Sequence, residues 1–122
     1  MAKRYVALAL ADSMFGPAVR GIGRRPITAA EARLYLQNEV ETAVNPSHTA
    51  TIDALRRRYG LALPVPPTPP KVVLNSIGDE VLVIGIRGLP RLTDRHEYTD
   101  EEVGRATFEF TLYYVAAIET VT

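Results

Sequence analysis

The stretch Asn45-Pro-Ser-His-Thr-Ala-Thr51 stands where an apolar, strand-like run gives way to a helical pattern. The run before it covers residues 40–44, and the pattern after it predicts a helix over His48–Gly60. Apolar residues in that helix recur three and four positions apart, which is typical of a helix with one face against a core. We therefore expect a strand, a short turn and a helix, with a histidine at the start of the helix.

His48 is one of two histidines in the chain. Free backbone N–H groups and the helix dipole favour an anion at a helix N-terminus. The hydroxyl side chains of Thr49 and Thr51 suit a phosphate there, and an imidazole can carry a proton near neutral pH. A catalytic or ligand-binding role is one hypothesis for His48. The alternative is that it merely caps the helix or packs against it.

The rest of the chain predicts a mixed sheet of about five strands flanked by helices, α/β or α+β, in a single domain over residues 1–122. Capping boxes at Thr28–Glu31 and Thr99–Glu102 open two further helices. Residues 21–26 are interpreted as a loop or short edge strand, and residues 61–70, with five prolines, as an extended connector. Strands are predicted over Arg4–Leu10, Val40–Val44 and Thr107–Tyr114, and over Lys71–Leu74 and Glu80–Ile86 as a β-hairpin.

Composition excludes several kinds of site. Lysine plus arginine and aspartate plus glutamate number 14 each, so no basic excess argues for coating a nucleic-acid duplex. The chain has no cysteine, which excludes disulfides, thiolate metal sites and cysteine nucleophiles. The motifs of phosphate loops, dinucleotide-binding folds, nucleophile elbows and zinc sites are missing as well. No metal and no cofactor is therefore expected.

Two basic segments have a plain and a functional interpretation. Arg56-Arg57-Arg58 predicts a solvated helix face, with a nucleic-acid patch as the alternative. The loop from Arg87 to Tyr98 is rich in charge and is most simply a solvated loop. An arginine on such a loop can also stabilise an anionic transition state, with a carboxylate such as Asp94 holding an arginine or a histidine in place.

No apolar run has the length of a membrane span. The first apolar run is short and is followed at once by Asp12, so we interpret it as a buried strand rather than a signal peptide. These features, with the lack of cysteine, lead us to expect a cytoplasmic protein.

The order of these motifs resembles the viral and bacterial ring nucleases of the anti-type III CRISPR family, first known as a small conserved protein of archaeal viruses. The matching residues are Ser13 after the first strand, Ser47-His-Thr-Ala-Thr51 at the helix start, and Arg91-Leu-Thr-Asp94 in the charged loop. The segment Val72–Ile86 resembles the family's hairpin, and Thr99–Tyr114 its closing helix and strand. The resemblance covers nearly the whole chain.

The resemblance implies a homodimer that binds cyclic tetra-adenylate and cleaves it without a metal, switching off type III CRISPR signalling. It implies catalytic roles for His48, Arg91 and Asp94, and substrate binding by Ser13, Ser47, Thr49 and Thr51. No membrane and no protein partner other than a second copy is implied. The protein would act in the cytoplasm, that of the host cell if it is viral.

The chain departs from the family pattern at four positions. Ser47 replaces the glycine before the histidine, Ala50 replaces a serine after it, and Asp94 replaces a glutamate; Leu10 stands where an asparagine is expected. Because the first two changes alter phosphate contacts, a dimer that binds cyclic nucleotides or nucleic acid without cleaving them is the alternative. A structural dimer in which His48 is a simple cap is a third reading.

Overall fold

The computed structural model describes residues 2–87 and 99–119. These form a single small α+β domain. The strands are β1 (Arg4–Ala7), β2 (Val19–Ile27), β3 (Glu41–Ala43), β4 (Glu80–Arg87) and β5 (Thr107–Ile118). The helices are α1 (Ala29–Leu36), α2 (Thr49–Tyr59) and α3 (Asp100–Arg105), and one turn of 3-10 helix covers Asp12–Met14.

The strands form one mixed sheet in the order β2-β5-β4-β1-β3. β1 lies parallel to both β3 and β4, while β5 runs antiparallel to β4 and to β2. Four strands therefore point one way and only β5 the other. The prediction of a five-stranded mixed sheet with helices is confirmed.

Alternation along the strands divides the core between the two faces of the sheet. The first cluster includes Val6, Leu82 and Phe110 and is covered by α1 and α2 through residues such as Ala32 and Leu55. The second cluster, on the opposite face, combines strand residues with side chains from two connecting segments. Its buried members are Tyr5, Ala7, Val72, Leu74, Val81 and Val115.

The predicted hairpin over Lys71–Leu74 and Glu80–Ile86 is wrong. Glu80–Arg87 is a strand, but it pairs with β1 and β5. Leu74 instead bonds to the segment after β1: its N–H donates to Met14 at 2.7 Å, and its carbonyl accepts from Gly16 at 2.8 Å. The apolar side chains Val72 and Leu74 are used to cover the second face of the sheet rather than to extend its hydrogen bonding.

Other boundaries also differ from the predictions. β1 ends at Ala7, three residues before the predicted end, and β5 continues to Ile118. The predicted loop or short edge strand at residues 21–26 is a nine-residue edge strand, β2, held by β5 across a register shift near Gly21. This strand contains glycines, a proline and arginines, and its side chains are mostly exposed. It therefore lacks the alternation of apolar and polar residues by which a strand is predicted.

Both predicted capping boxes are present. Thr28 accepts from the Glu31 amide and its own amide donates to the Glu31 carboxylate, and Thr99 and Glu102 repeat the pattern. α2 ends at Gly60, whose φ of 69° is the left-handed conformation that glycine adopts without strain. Within the described residues, no helix is both long and apolar enough to cross a membrane.

Candidate functional site

Three connecting segments leave the same edge of the sheet. β1, β3 and β4 are parallel, and they end at Ala7, Ala43 and Arg87, respectively. The chain places β3 on one side of β1 and then returns through α2 to β4 on the other side. Ligands of open α/β sheets bind at the carboxyl ends of the strands where the order reverses in this way. β1 marks that point here.

A turn built by Asn45 presents His48 at this edge. The side-chain oxygen of Asn45 accepts from the Ser47 N–H at 2.9 Å, and its backbone carbonyl accepts from the His48 N–H at 3.1 Å. The role of Asn45 was not among our predictions. An asparagine followed by proline is a known turn signal that could have indicated it.

His48 is the N-cap residue of α2, as the sequence predicts, but its imidazole does not cap. Among the described residues, its side chain makes no capping hydrogen bond, and the residue is exposed. Its backbone carbonyl accepts from Ile52 at 3.0 Å to start the helix. The reading of His48 as a simple side-chain cap therefore loses its basis.

The start of α2 is favourable for an anion. The amides of Thr49, Ala50 and Thr51 belong to the first turn and have no partner inside the helix. No acidic residue lies in that turn, whereas three arginines lie in the last turn. Within α2, no acidic side chain of the first turn therefore offsets the positive end of the helix dipole.

The neighbours of His48 differ in accessibility. Ser47 and Thr49, which flank His48 in sequence, are both exposed. Thr51 is only 5% exposed. Most of its side chain is therefore buried, unlike those of Ser47 and Thr49.

Ser13 lies in the 3-10 turn that follows β1 and is exposed. The segment starts beside the one that bears His48, because Ala7 and Ala43 are paired at the ends of their strands. Met14 and Phe15, however, pack on the second face of the sheet, whereas α2 covers the first. Within residues 2–87 and 99–119, no hydrogen bond joins Ser13 to the segment 47–51.

Arg91 and Asp94 lie outside the described residues, as does the other histidine, His96. Arg87, at the end of β4, is described, and its side chain forms an ion pair with Glu109 at 3.1 Å. Within the described ranges, no three histidine, aspartate or glutamate side chains converge as a metal site requires.

The arginines of α2 are not one uniform solvated face. Arg56 and Arg57 both bind Asp53; the hydrogen bond from Arg56 and then that from Arg57 hold the pKa of this carboxyl below its usual range. Arg58 instead donates to the carbonyl of Ala106 at 2.7 Å and lies 5.3 Å from the Phe108 ring centre. It ties the end of α2 to the start of β5.

Neither the family models nor the curated proteins contain a match to this chain. Among solved structures, the chain is similar to B116 of Sulfolobus turreted icosahedral virus, with a TM-score of 0.64 and 19% sequence identity. The similarity covers 93% of this chain and 99% of B116. At this identity the comparison establishes that the two chains share a fold.

Proposed function

We propose that the chain is a ring nuclease that cleaves cyclic tetra-adenylate without a metal and so ends type III CRISPR signalling. The observation that carries the proposal is the exposed, non-capping imidazole of His48 beside the free amides of α2, at the sheet edge where strand order reverses. A fold shared with a viral protein agrees with a family first known from archaeal viruses.

The chemistry is an internal transfer at phosphorus. A ribose 2′-oxygen attacks the adjacent phosphorus, the bond to the 5′-oxygen breaks, and His48 as imidazolium gives its proton to that oxygen. The 2′-hydroxyl proton passes to solvent. The products are linear di-adenylates with a 2′,3′-cyclic phosphate at one end and a 5′-hydroxyl at the other.

The remaining residues have binding and electrostatic roles in this proposal. The amides of the first α2 turn and Arg91 offset the charge that develops on the phosphorane. Asp94 favours the protonated imidazole through its opposite charge. Ser13, Ser47 and Thr49 contact phosphate or ribose and align the 2′-oxygen, and Thr51 takes part through its amide.

A homodimer that binds the ring between its protomers, in the cytoplasm of the host cell, completes the proposal. The exposed segments after β1 and β3 at one edge of the sheet would give each protomer half of the binding surface. Light scattering with and without the ring measures the mass of the complex. A single protomer bound to one ring would contradict this part.

The cleavage assay uses the chain, cyclic tetra-adenylate and excess EDTA, with products separated by chromatography. We expect linear di-adenylate from the wild type and a rate lower by about 10²- to 10⁴-fold for His48→Ala. Asp53→Asn is the matched control, because it changes an exposed charge on the same helix away from its N-terminus. Absence of turnover by the wild type, or equal turnover by His48→Ala, would exclude the nuclease.

The second candidate is a dimer that binds the ring without cleaving it. Ser47 and Ala50, which replace the family's glycine and serine, favour it because both positions adjoin the proposed phosphate site. Calorimetry followed by recovery of the ligand separates the two functions. Tight binding with an unaltered ring supports the binder, and Ser47→Gly with Ala50→Ser should then restore cleavage.

A further inference from the structure

Residues 45–49 are the exposed part of the link between β3 and α2. Val44, just before them, is buried, and Ala50, just after them, packs partly buried against the core. Packing therefore fixes the two ends of this stretch but not its middle, where His48 lies. The position of His48 depends instead on hydrogen bonds.

Asn45 supplies two of those bonds. Its side-chain oxygen accepts from the Ser47 N–H at 2.9 Å, and its carbonyl accepts from the His48 N–H at 3.1 Å. Residues 45–48 form a turn with asparagine in the first position and proline in the second, where these residue types are favoured. The ring of Pro46 holds its φ at about −65°, so the turn has little backbone freedom.

The backbone of His48 is thereby held on both sides. Its N–H is bonded to Asn45, and its carbonyl accepts from the Ile52 N–H at 3.0 Å, which starts α2. One peptide group beside the His48 Cα is fixed by the turn and the other by the helix. The direction of the Cα–Cβ bond, which carries the imidazole, follows from these two constraints.

No other side chain in this stretch duplicates the role of Asn45. Among the described residues, it is the one side chain that hydrogen-bonds to the backbone of residues 45–51. The turn also engages the amides of Ser47 and His48. The amides left for an anion are therefore those from Thr49 onwards, inside the first turn of the helix.

We propose that Asn45 is a positioning residue of the ring nuclease: its turn sets the place and direction of the His48 imidazole for proton transfer to the departing 5′-oxygen. Asn45 does not touch the cyclic nucleotide and acts through the backbone of His48. General acid catalysis requires heavy atoms about 2.6 to 3.2 Å apart in the reacting complex, so a small displacement of the imidazole slows it. The inference rests on the proposed nuclease function.

The test compares steady-state cleavage of cyclic tetra-adenylate in EDTA by the wild type, Asn45→Ala and Asn45→Asp. Alanine removes the acceptor oxygen, so kcat should fall by about 10- to 100-fold. KM should change less than about threefold, because His48 acts on the leaving oxygen only as the bond breaks. Aspartate keeps an acceptor oxygen for the same turn, so its kcat should stay within about threefold of the wild type.

Asn38→Ala is the matched control. The side chain of Asn38 is also exposed and also bonds to the backbone, donating to the carbonyls of Leu34 and Tyr35 at the end of α1. Its replacement should leave both kcat and KM unchanged, because it holds no residue of the proposed site.

A second measurement needs no cleavage. In the isotope-labelled chain without ligand, ¹⁵N relaxation reports the ps–ns motion of the Ser47 and His48 amides. We expect these amides to be more mobile in Asn45→Ala than in the wild type and to regain their rigidity in Asn45→Asp. A dispersed spectrum shows that each variant is folded.

The outcomes separate this inference from the nuclease itself. Wild-type kcat in Asn45→Ala, or unchanged rigidity of its Ser47 and His48 amides, would overturn the inference, while slow cleavage by His48→Ala would leave the nuclease in place. Equal losses of kcat in Asn45→Ala and Asn45→Asp would also overturn it, because the acceptor oxygen would then have no role. A wild type without turnover would exclude the nuclease and, with it, this role of Asn45.

Discussion

Thr42 is, among the described residues, the one buried side chain with a polar atom that lacks a hydrogen-bond partner. It lies on β3 opposite Val6, on the face of the sheet that the helices cover. A buried hydroxyl without a partner forfeits its hydrogen bonds to water and destabilises the folded chain by about 1 to 3 kcal/mol. The hydroxyl is therefore a stability defect.

Thr42→Val should raise the free energy of unfolding by about 1 kcal/mol, because valine keeps the shape of threonine and removes the orphan oxygen. Thr42→Ser is the matched control: it keeps the hydroxyl, removes a methyl group and should lower the stability by about 1 kcal/mol. Urea unfolding of the three proteins measures both changes. A less stable Thr42→Val would show that the hydroxyl has a partner in solution.

At His48, the sequence predicts the position of the residue better than its environment. The change from strand to helix places it at the N-terminus of α2, and this is confirmed. Three features of its environment were not predicted: the lack of a side-chain capping bond, the burial of Thr51 and the turn built by Asn45. Each of them depends on the direction in which a side chain points. Local sequence patterns do not fix those directions because neighbouring elements decide which side is enclosed.

At the scale of elements, the carboxylate of Asp79 binds the turn between Leu74 and β4 to the start of β1. Asp79 is 1% exposed and accepts from the backbone N–H groups of Lys3, Asn75 and Ser76 at 2.9, 3.1 and 3.0 Å. Burial alone would raise its pKa, but these three donors and the charge of Lys3 together lower it. The bonds set where β1 and β4 begin relative to each other.

The folded-state pKa of Asp79 lies below the ordinary aspartate value of about 3.9, so its ionised form stabilises the fold above about pH 4. That contribution is lost as the pH falls through the lowered pKa. Asp79→Asn should therefore cost about 2 to 4 kcal/mol at pH 7, and the difference from wild type should shrink in acid. Urea unfolding from pH 3 to pH 7 measures the trend.

Asp53→Asn serves as the comparison for Asp79→Asn. Asp53 also has a lowered pKa, but it is bound only by Arg56 and Arg57 on the surface of α2, where solvent screens the charges. Its replacement should change stability little at any pH. A pH-independent effect of Asp79→Asn would contradict the assignment of the acid-dependent stability to this carboxylate.

Elements whose ends are set by residues a few positions apart were predicted well. Elements that depend on hydrogen bonds to distant segments were not. The capping boxes and Gly60 fix the helix ends through residues a few positions apart. The segment 71–74 has strand-like residues but packs across the sheet, because Met14 and Gly16 supply its hydrogen bonds. β2 lacks an apolar stripe and depends on β5. Only the folded chain identifies such partners.

At the scale of the whole molecule, the sheet joins segments that are remote in sequence. Arg4 pairs with Glu80, 76 positions later, and Val19 pairs with Ile118, 99 positions later. Closing such long loops is entropically costly, and chains with distant pairings fold in about milliseconds to seconds. Stopped-flow refolding should show that range. Complete refolding within microseconds would contradict the expectation.

The central place of β1 has a consequence for how the protein is made. β1 leaves the ribosome before the other four strands, yet the antiparallel strand that joins β4 to β2 is β5, the last of the five to be made. During synthesis β1 can pair with β3 and then β4, while β2 has no strand to bind. Until residues 107–118 emerge, the nascent chain keeps an apolar surface open to chaperones and to neighbouring chains.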